Sequence, residues 1–390
     1  MANRILVASY THCIQSLVFD ASASTLTTHS VVEVGFHPSW IEFHPSDRSL
    51  VFAALEQAEG KIVAVKYDES GNGTVVADAP SGGADPCSLA ATENRLFVAN
   101  YSSGSISVLP ITSGSPPYFL PGSVVTPLYG SGPHPERQQS SHAHQVALHS
   151  DRGELLVPDL GADQVFRFTE QEDAWILQAH IRFDPGSGPR HTAIHDGALY
   201  TLLELSSEIT KHRLPILPGE VTLIAKKPTM FNPPTAPHDM LAAELLIPEP
   251  NSAFSTPYAY VSNRNNPSEE GDTIAIFSIE GDALELIAEV PTGLKHLRGM
   301  VFGGPDNKWL IAGGANGGGA KVFERIDGGK GLKELAANSS VEAPTGFFVG
   351  DYLPESPTTS SVDHIKQSLI FSEFTVQLSL FLFELAFIVL

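Results

Sequence analysis

The chain has 390 residues, 42% of them hydrophobic, with 33 glycines and 29 prolines, a composition that suits many short strands joined by tight turns rather than long helices or disorder. The formal net charge of -21 comes with no Lys/Arg-rich run, which argues against nucleic-acid or anionic-membrane partners. Cys13 and Cys87 are the only two cysteines and give no disulfide framework. Residues 1–10 run into apolar sequence without the succession of a secretory leader, so a reducing, cytoplasmic setting is expected.

One pattern then recurs along the chain: an apolar strand, a short polar or Gly-rich turn, and a second alternating strand. It occupies residues 5–20, 50–68, 96–111, 155–170, 199–215, 259–279 and 309–326, stepping by about 44 to 60 residues, a period that fits four-stranded propeller blades. Six of these hairpins follow a further strand-like segment, at 37–43, 86–89, 142–148, 190–194, 243–247 and 297–302, predicted as the innermost strands. Turn sequences at 44–48, 149–153 and 195–197 separate leader from hairpin, and their histidines His44, His149 and His195 read as turn residues. The first hairpin has no leader. Strands from 343–353 are therefore expected to complete its sheet and close the ring, removing an open edge.

The prediction is an all-β, seven-bladed β-propeller of four-stranded antiparallel blades, a single domain over 1–354 followed by a linker and apolar tail over 355–390. Residues 110–137 and 214–237 read as long connections, a place for lids or insertions. The apolar run 369–390 nearly matches a bilayer in length, but Glu373, Gln377 and Glu384 interrupt it, which favours packing on the wheel over a membrane anchor.

Where strands run as an antiparallel meander, the start of the first and the end of the second share one edge of the sheet. Inner-strand starts supply His142, His144, Arg190 and His191, and second-strand ends supply Asn100, Asp159, Glu204, Asn263 and Arg264, all expected at one mouth of the channel. Arginine binds carboxylate or phosphate bidentately and stabilises a developing oxyanion, while Glu and His can move protons near neutrality. The same residues also read as a structural ion pair and turn histidines. No thiolate zinc spacing, nucleotide cradle or nucleophile elbow accompanies them, and the Asp and Asn oxygens do not make a full calcium set, so neither metal nor cofactor is expected.

Ser141-His142-Ala143-His144, Val157-Pro158-Asp159-Leu160-Gly161, Gly188-Pro189-Arg190-His191, Leu203-Glu204-Leu205, Ala243-Glu244-Leu245 and Val261-Ser262-Asn263-Arg264 together resemble the lactonase family of seven-bladed propellers. That family includes bacterial-type 6-phosphogluconolactonase and carboxy-cis,cis-muconate cyclase. The resemblance spans roughly residues 4–353, with Ala143 and Leu203 departing from the family's frequent Pro and Asn. It implies His144, Arg190, Glu204 and Arg264 as the catalytic group; His142, Asp159, His191, Asn263 and Glu244 are expected around them as substrate-binding residues. A small anionic lactone would then be hydrolysed, the two arginines holding its charged group and carbonyl while Glu204 and His144 share the proton work. A cycloisomerase forming a lactone from a muconate uses the same groups and stands as the alternative. A non-catalytic binding platform is a third reading, weakened by the absence of WD-type signatures.

Overall fold

Each expected hairpin forms the second and third strands of a four-stranded antiparallel sheet in the computed structural model, which describes residues 3–235 and 238–350. Among the described residues seven such sheets are present, and the all-β propeller prediction holds. Burial explains the strength of the pattern. Second strands such as Asp47–Leu55 and Tyr258–Arg264 are buried almost throughout, because each sheet packs face to face against both neighbours. The apolar clusters accordingly join adjacent blades: Leu50 and Val98 belong to one, Leu202 and Ala275 to another, and Ile5 and Ile311 to a third. Each fully buried Leu, Ile, Val or Phe contributes roughly 1.5–3 kcal/mol.

Inner strands Pro38–His44, Pro86–Ala91, Ala147–His149, Pro189–His195, Leu241–Leu246 and Lys295–Gly303 lead blades 2 to 7. Blade 1 is led from the other end of the chain by Pro344–Val349, which pairs with Asn3–Ser9. Closure thus needs one C-terminal strand rather than several, since the outer strand of that sheet, Thr25–Glu33, follows its own hairpin.

The two long connections are shorter than expected, because each contains the outer strand of its blade: Val124–Pro127 in blade 3 and Thr222–Pro228 in blade 5. Both strands are largely exposed and carry no apolar alternation, so they leave no periodic signal. The linker and tail expected over 355–390, and the domain boundary at 354, lie outside the described residues. Among the described residues no helix is long and apolar enough to cross a membrane.

The seam between blades 7 and 1 depends on a small side chain. A Cβ on Gly299 would collide with the Thr345 carbonyl oxygen. That carbonyl lies between Pro344 and Gly346, both paired to Asn3–Ser9, so it has nowhere to retreat. Gly299→Ala is therefore expected to cost about 1–3 kcal/mol of stability by overpacking, read as a lower urea midpoint at unchanged m-value.

Candidate active site

Two rings of backbone positions build the cavity at one mouth of the channel. Near the start of each inner strand the pairing slips by one residue, as between Pro86 and Ser88, Pro189 and His191, and Leu297 and Gly299. The skipped residues are Cys87, Arg190 and Arg298, and in blade 4 the pairing slips between Ala143 and Ala147, around His144. Such a slip re-aims a side chain out of the sheet plane. The second ring lies where second strands end: it is the residue after the last paired position in blades 2, 3 and 5, and in blade 6 the last paired residue itself, Arg264 opposite Leu241. Leu55, Asn100 and Leu203 pair inward across the sheet with Pro38, Pro86 and Pro189, so Glu56, Tyr101 and Glu204 share this ring with Arg264.

A cavity of about 230 Å³ results, lined by Glu56, Cys87, Tyr101, Arg137, His144, Glu204, Arg264 and Arg298. Seven of these eight lie on the two rings. Two larger grooves, about 370 and 460 Å³, lie around Lys211 and His212 and share no lining residue with it.

Glu204 is the centre of one wall. Its Oε1 accepts a hydrogen bond from Arg137 Nη2 at 2.6 Å, and its Oε2 lies 2.9 Å from Arg264 Nη2 and 2.8 Å from Arg190 Nε. The Arg190 N–H is not aimed at the oxygen, so that contact is ionic rather than a hydrogen bond. Burial alone would raise the Glu204 carboxyl, but Arg264, Arg190 and Arg137 together hold it far below the usual carboxylate range. It stays ionised whenever the protein is folded at ordinary pH.

Arg190 stands behind this wall rather than in the cavity. Its Nη1 donates to the Ala243 carbonyl and, at 3.3 Å, to His191 Nε2, while His191 Nδ1 donates to Glu244 Oε1 at 2.7 Å. Burial, then Arg264, lower the Arg190 guanidinium to about 10, still charged at neutrality. Burial likewise keeps His191 neutral against the pull of Glu244, consistent with one ring nitrogen donating and the other accepting.

His144 presents a buried imidazole whose Nδ1 has no hydrogen-bond partner. Burial, and next the Arg190 charge, push it well below its ordinary range, so it is neutral. Tyr101 meets it edge-on at 5.7 Å, and His142 stacks flat on Tyr101 at 4.5 Å while its Nδ1 bonds the Tyr101 carbonyl at 3.0 Å. Arg137 comes from the connection between blades 3 and 4, where its neighbour Gln138, fully buried, donates to Leu160 O at 2.8 Å and Asp163 Oδ1 at 2.7 Å. Gln138 fixes the loop, and the loop presents Arg137.

The opposite wall is a second charged group. Arg298 Nη2 lies 3.2 Å from Glu56 Oε2, Tyr10 OH donates to Glu56 Oε1 at 3.2 Å, and the Arg298 guanidinium stacks over the Tyr10 ring at 4.9 Å. Three guanidiniums (Arg137, Arg264, Arg298) against two carboxylates (Glu56, Glu204) line the cavity and leave it a surplus of one positive charge, with Arg190 and Glu244 both behind the wall. A chain of net charge -21 thus carries a cationic pocket.

Comparison with known proteins agrees with this architecture. The model of the family described as Lactonase, 7-bladed beta-propeller matches residues 4–349. The chain belongs to that family. A 6-phosphogluconolactonase of Bacillus subtilis is 25% identical over 346 residues, covering 85% of this chain and 92% of its own. One from Formosa agariphila is 27% identical, covering 83% and 93%. Among solved structures, a candidate 6-phosphogluconolactonase of Bacteroides fragilis superposes with a TM-score of 0.77 at 25% identity, covering 90% of this chain and 98% of its own. The periplasmic gluconolactonase of Pseudomonas aeruginosa gives 0.76 at 23% identity, with 90% and 100% covered.

Within this lactonase-family site, the expected residues divide by a single position. Glu204, Arg264 and His144 line the cavity, and Arg190 supports it. Asp159 and Asn263 sit one residue short of the second ring, on the alternate face, and their polar atoms serve loops. Asp159 accepts from His142 N at 2.8 Å and Ala162 N at 2.9 Å, and Asn263 bonds Thr229 through both amide atoms. Asn100 bonds Ser107 at 2.9 Å in the same manner. His142, His191 and Glu244 stand behind the lining residues as supports. Glu56, Tyr10, Tyr101, Arg137 and Arg298 were not anticipated.

Glu204→Gln removes the counter-charge of three guanidiniums and is expected to cost about 3–5 kcal/mol near neutral pH. Because folded Glu204 titrates below its ordinary 4.5, its stabilisation is fully present above that value and is lost as pH falls through the carboxylate range. Denaturation midpoints of the two proteins, measured against pH, are therefore expected to converge on acidification.

Proposed function

We propose that this protein is a lactonase that hydrolyses a small anionic lactone, with 6-phosphogluconolactone the leading substrate. The observation that carries the reading is the set of three guanidiniums, one more than the carboxylates beside them, that lines a cavity of about 230 Å³ and suits a phosphorylated sugar lactone. The activities named for the Bacillus and Formosa relatives point the same way.

In this reading Arg264 and Arg137, held in place by Glu204, meet the anionic substrate from one wall and Arg298 meets it from the other. A guanidinium aimed at the acyl oxygen stabilises the oxyanion as the carbonyl becomes tetrahedral, a contribution worth about 10²–10³ in rate for a single preorganised donor. Arg190 acts through Glu204, as a positioning residue. His144, neutral and lining the cavity, offers the substrate a hydrogen bond that adds no charge. The mechanism routes no step through a metal, and turnover is expected to persist in excess chelator.

Purified protein is expected to release acid from 6-phosphogluconolactone in a pH-stat well above the spontaneous rate. Arg264→Ala is expected to lower kcat/KM by about 10²–10³, and Arg137→Ala, whose side chain is one-third exposed on a loop, to do so with folding unaffected. Wild-type turnover no faster than buffer on every sugar-derived lactone, or unchanged kcat/KM in both variants, rejects the reading.

A further inference from the structure

Resting on the lactonase reading, we infer that Glu56, on the wall opposite Glu204, is the general base that activates the hydrolytic water. Two carboxylates line the cavity, and their surroundings differ in kind. Both Glu204 oxygens are taken by guanidiniums, the side chain is 1% exposed, and accepting a proton would strip the counter-charge from Arg137, Arg190 and Arg264 together. Glu204 is therefore a fixed anion that holds cations in position.

Glu56 meets a single guanidinium, Arg298 at 3.2 Å, and its side chain is 21% exposed, open toward the cavity. The remaining contact is the Tyr10 hydroxyl, at 3.2 Å from Oε1 and 3.3 Å from Oε2, a phenol that burial keeps protonated and so a donor. A carboxylate oriented by a neutral donor and one cation, with acceptor sites left free, can take a proton from water. Its backbone is fixed, since Glu56 N donates to His37 O at 2.9 Å. The Cys87 thiol, which also lines the cavity, is pushed up by burial and donates to backbone carbonyls, so it does not compete as a base.

The step balances without a further reactant. Water gives a proton to Glu56 as its oxygen bonds the acyl carbon, and the carbonyl electron pair moves to the oxygen facing the guanidiniums. Collapse reforms the carbonyl and breaks the bond to the ring oxygen, which takes the proton back from Glu56. One water is added and the ring opens.

The test uses the full chain. Glu56→Gln keeps one acceptor oxygen, which at the Oε2 position reaches both Arg298 and Tyr10, but removes the base, and it is expected to lower kcat by about 10²–10⁴ with KM little changed. Glu56→Ala is expected to regain part of that loss when formate is added, a response that a purely structural carboxylate does not give. Tyr10→Phe, which leaves the carboxylate but frees its orientation, is expected to lose less. Near-UV circular dichroism identifies any variant that fails to fold, and Glu56→Gln as the near-isostere then decides alone. Wild-type kcat in folded Glu56→Gln overturns the assignment, as does a loss in Glu56→Ala that formate leaves untouched and that lies wholly in KM. A wild-type protein that opens no lactone sinks the lactonase reading itself, whereas an active wild type beside an equally active Glu56→Gln sinks only the role of Glu56.

Discussion

A one-residue slip near the start of each inner strand governs what this wheel can do. Without it, strict alternation would send every second side chain of the innermost strands back between the blades. The slip breaks alternation at one position per blade and turns Cys87, Arg190 and Arg298 out of their sheets, with His144 at the corresponding irregularity of blade 4. The same edge carries the second ring, where Glu56, Tyr101, Glu204 and Arg264 emerge just as their strands end. Residues far apart in sequence thereby share one cavity, held by sheets whose second strands are buried on both faces. The precision of the site comes from the rigidity of the core beneath it.

The electrostatics follow from that placement. Guanidiniums brought together in a buried space repel one another and lose hydration, and each would be costly without a counter-ion. Glu204 supplies the counter-charge for three of them and Glu56 for the fourth. The two carboxylates are not equivalent. One is saturated by cations and anchored through Arg190, His191 and Glu244 to the neighbouring blade; the other is lightly held and open to the cavity. Two carboxylates in one pocket with such divergent surroundings are the basis for proposing that one is a structural anion and the other a proton acceptor.

The hairpins were legible because blade-to-blade packing buries both faces of their second strands and leaves long apolar runs; outer strands such as Val124–Pro127, exposed and short, left none. Ring closure was legible from the missing leader of the first hairpin. At the site, the shared-edge rule and the family resemblance converged on His144, Arg190, Glu204 and Arg264, but the rule does not resolve alternation, and so it also selected Asp159, Asn263 and Asn100, one residue away and facing their own loops. Glu56 was within reach: it follows Leu55 in blade 2 as Glu204 follows Leu203 in blade 5, and superposing the blades in sequence would have paired them. Arg298 stood inside a predicted inner strand without being weighed. Arg137 had no such signal, because its place depends on a loop fixed through Gln138 and Asp163, a tertiary contact that no local pattern announces.

The contrast between an acidic chain and a cationic cavity narrows what the site can hold. Beyond a Debye length of about 8–10 Å the surface charge is largely screened, so an anion approaching the wheel gains little until it enters the mouth, where low-dielectric walls and three guanidiniums dominate. The unliganded cavity carries charge that its own carboxylates do not cancel. A bound anion offsets it, and eases the part of the His144 shift that the arginines add to burial. A neutral sugar lactone of the same shape leaves that charge in place and forgoes the charge-assisted hydrogen bonds, each worth about 1.5–3 kcal/mol. In the proposed lactonase, selectivity for an anionic substrate would thus follow from the charge balance of the site, set by the same arginines proposed to position the reaction.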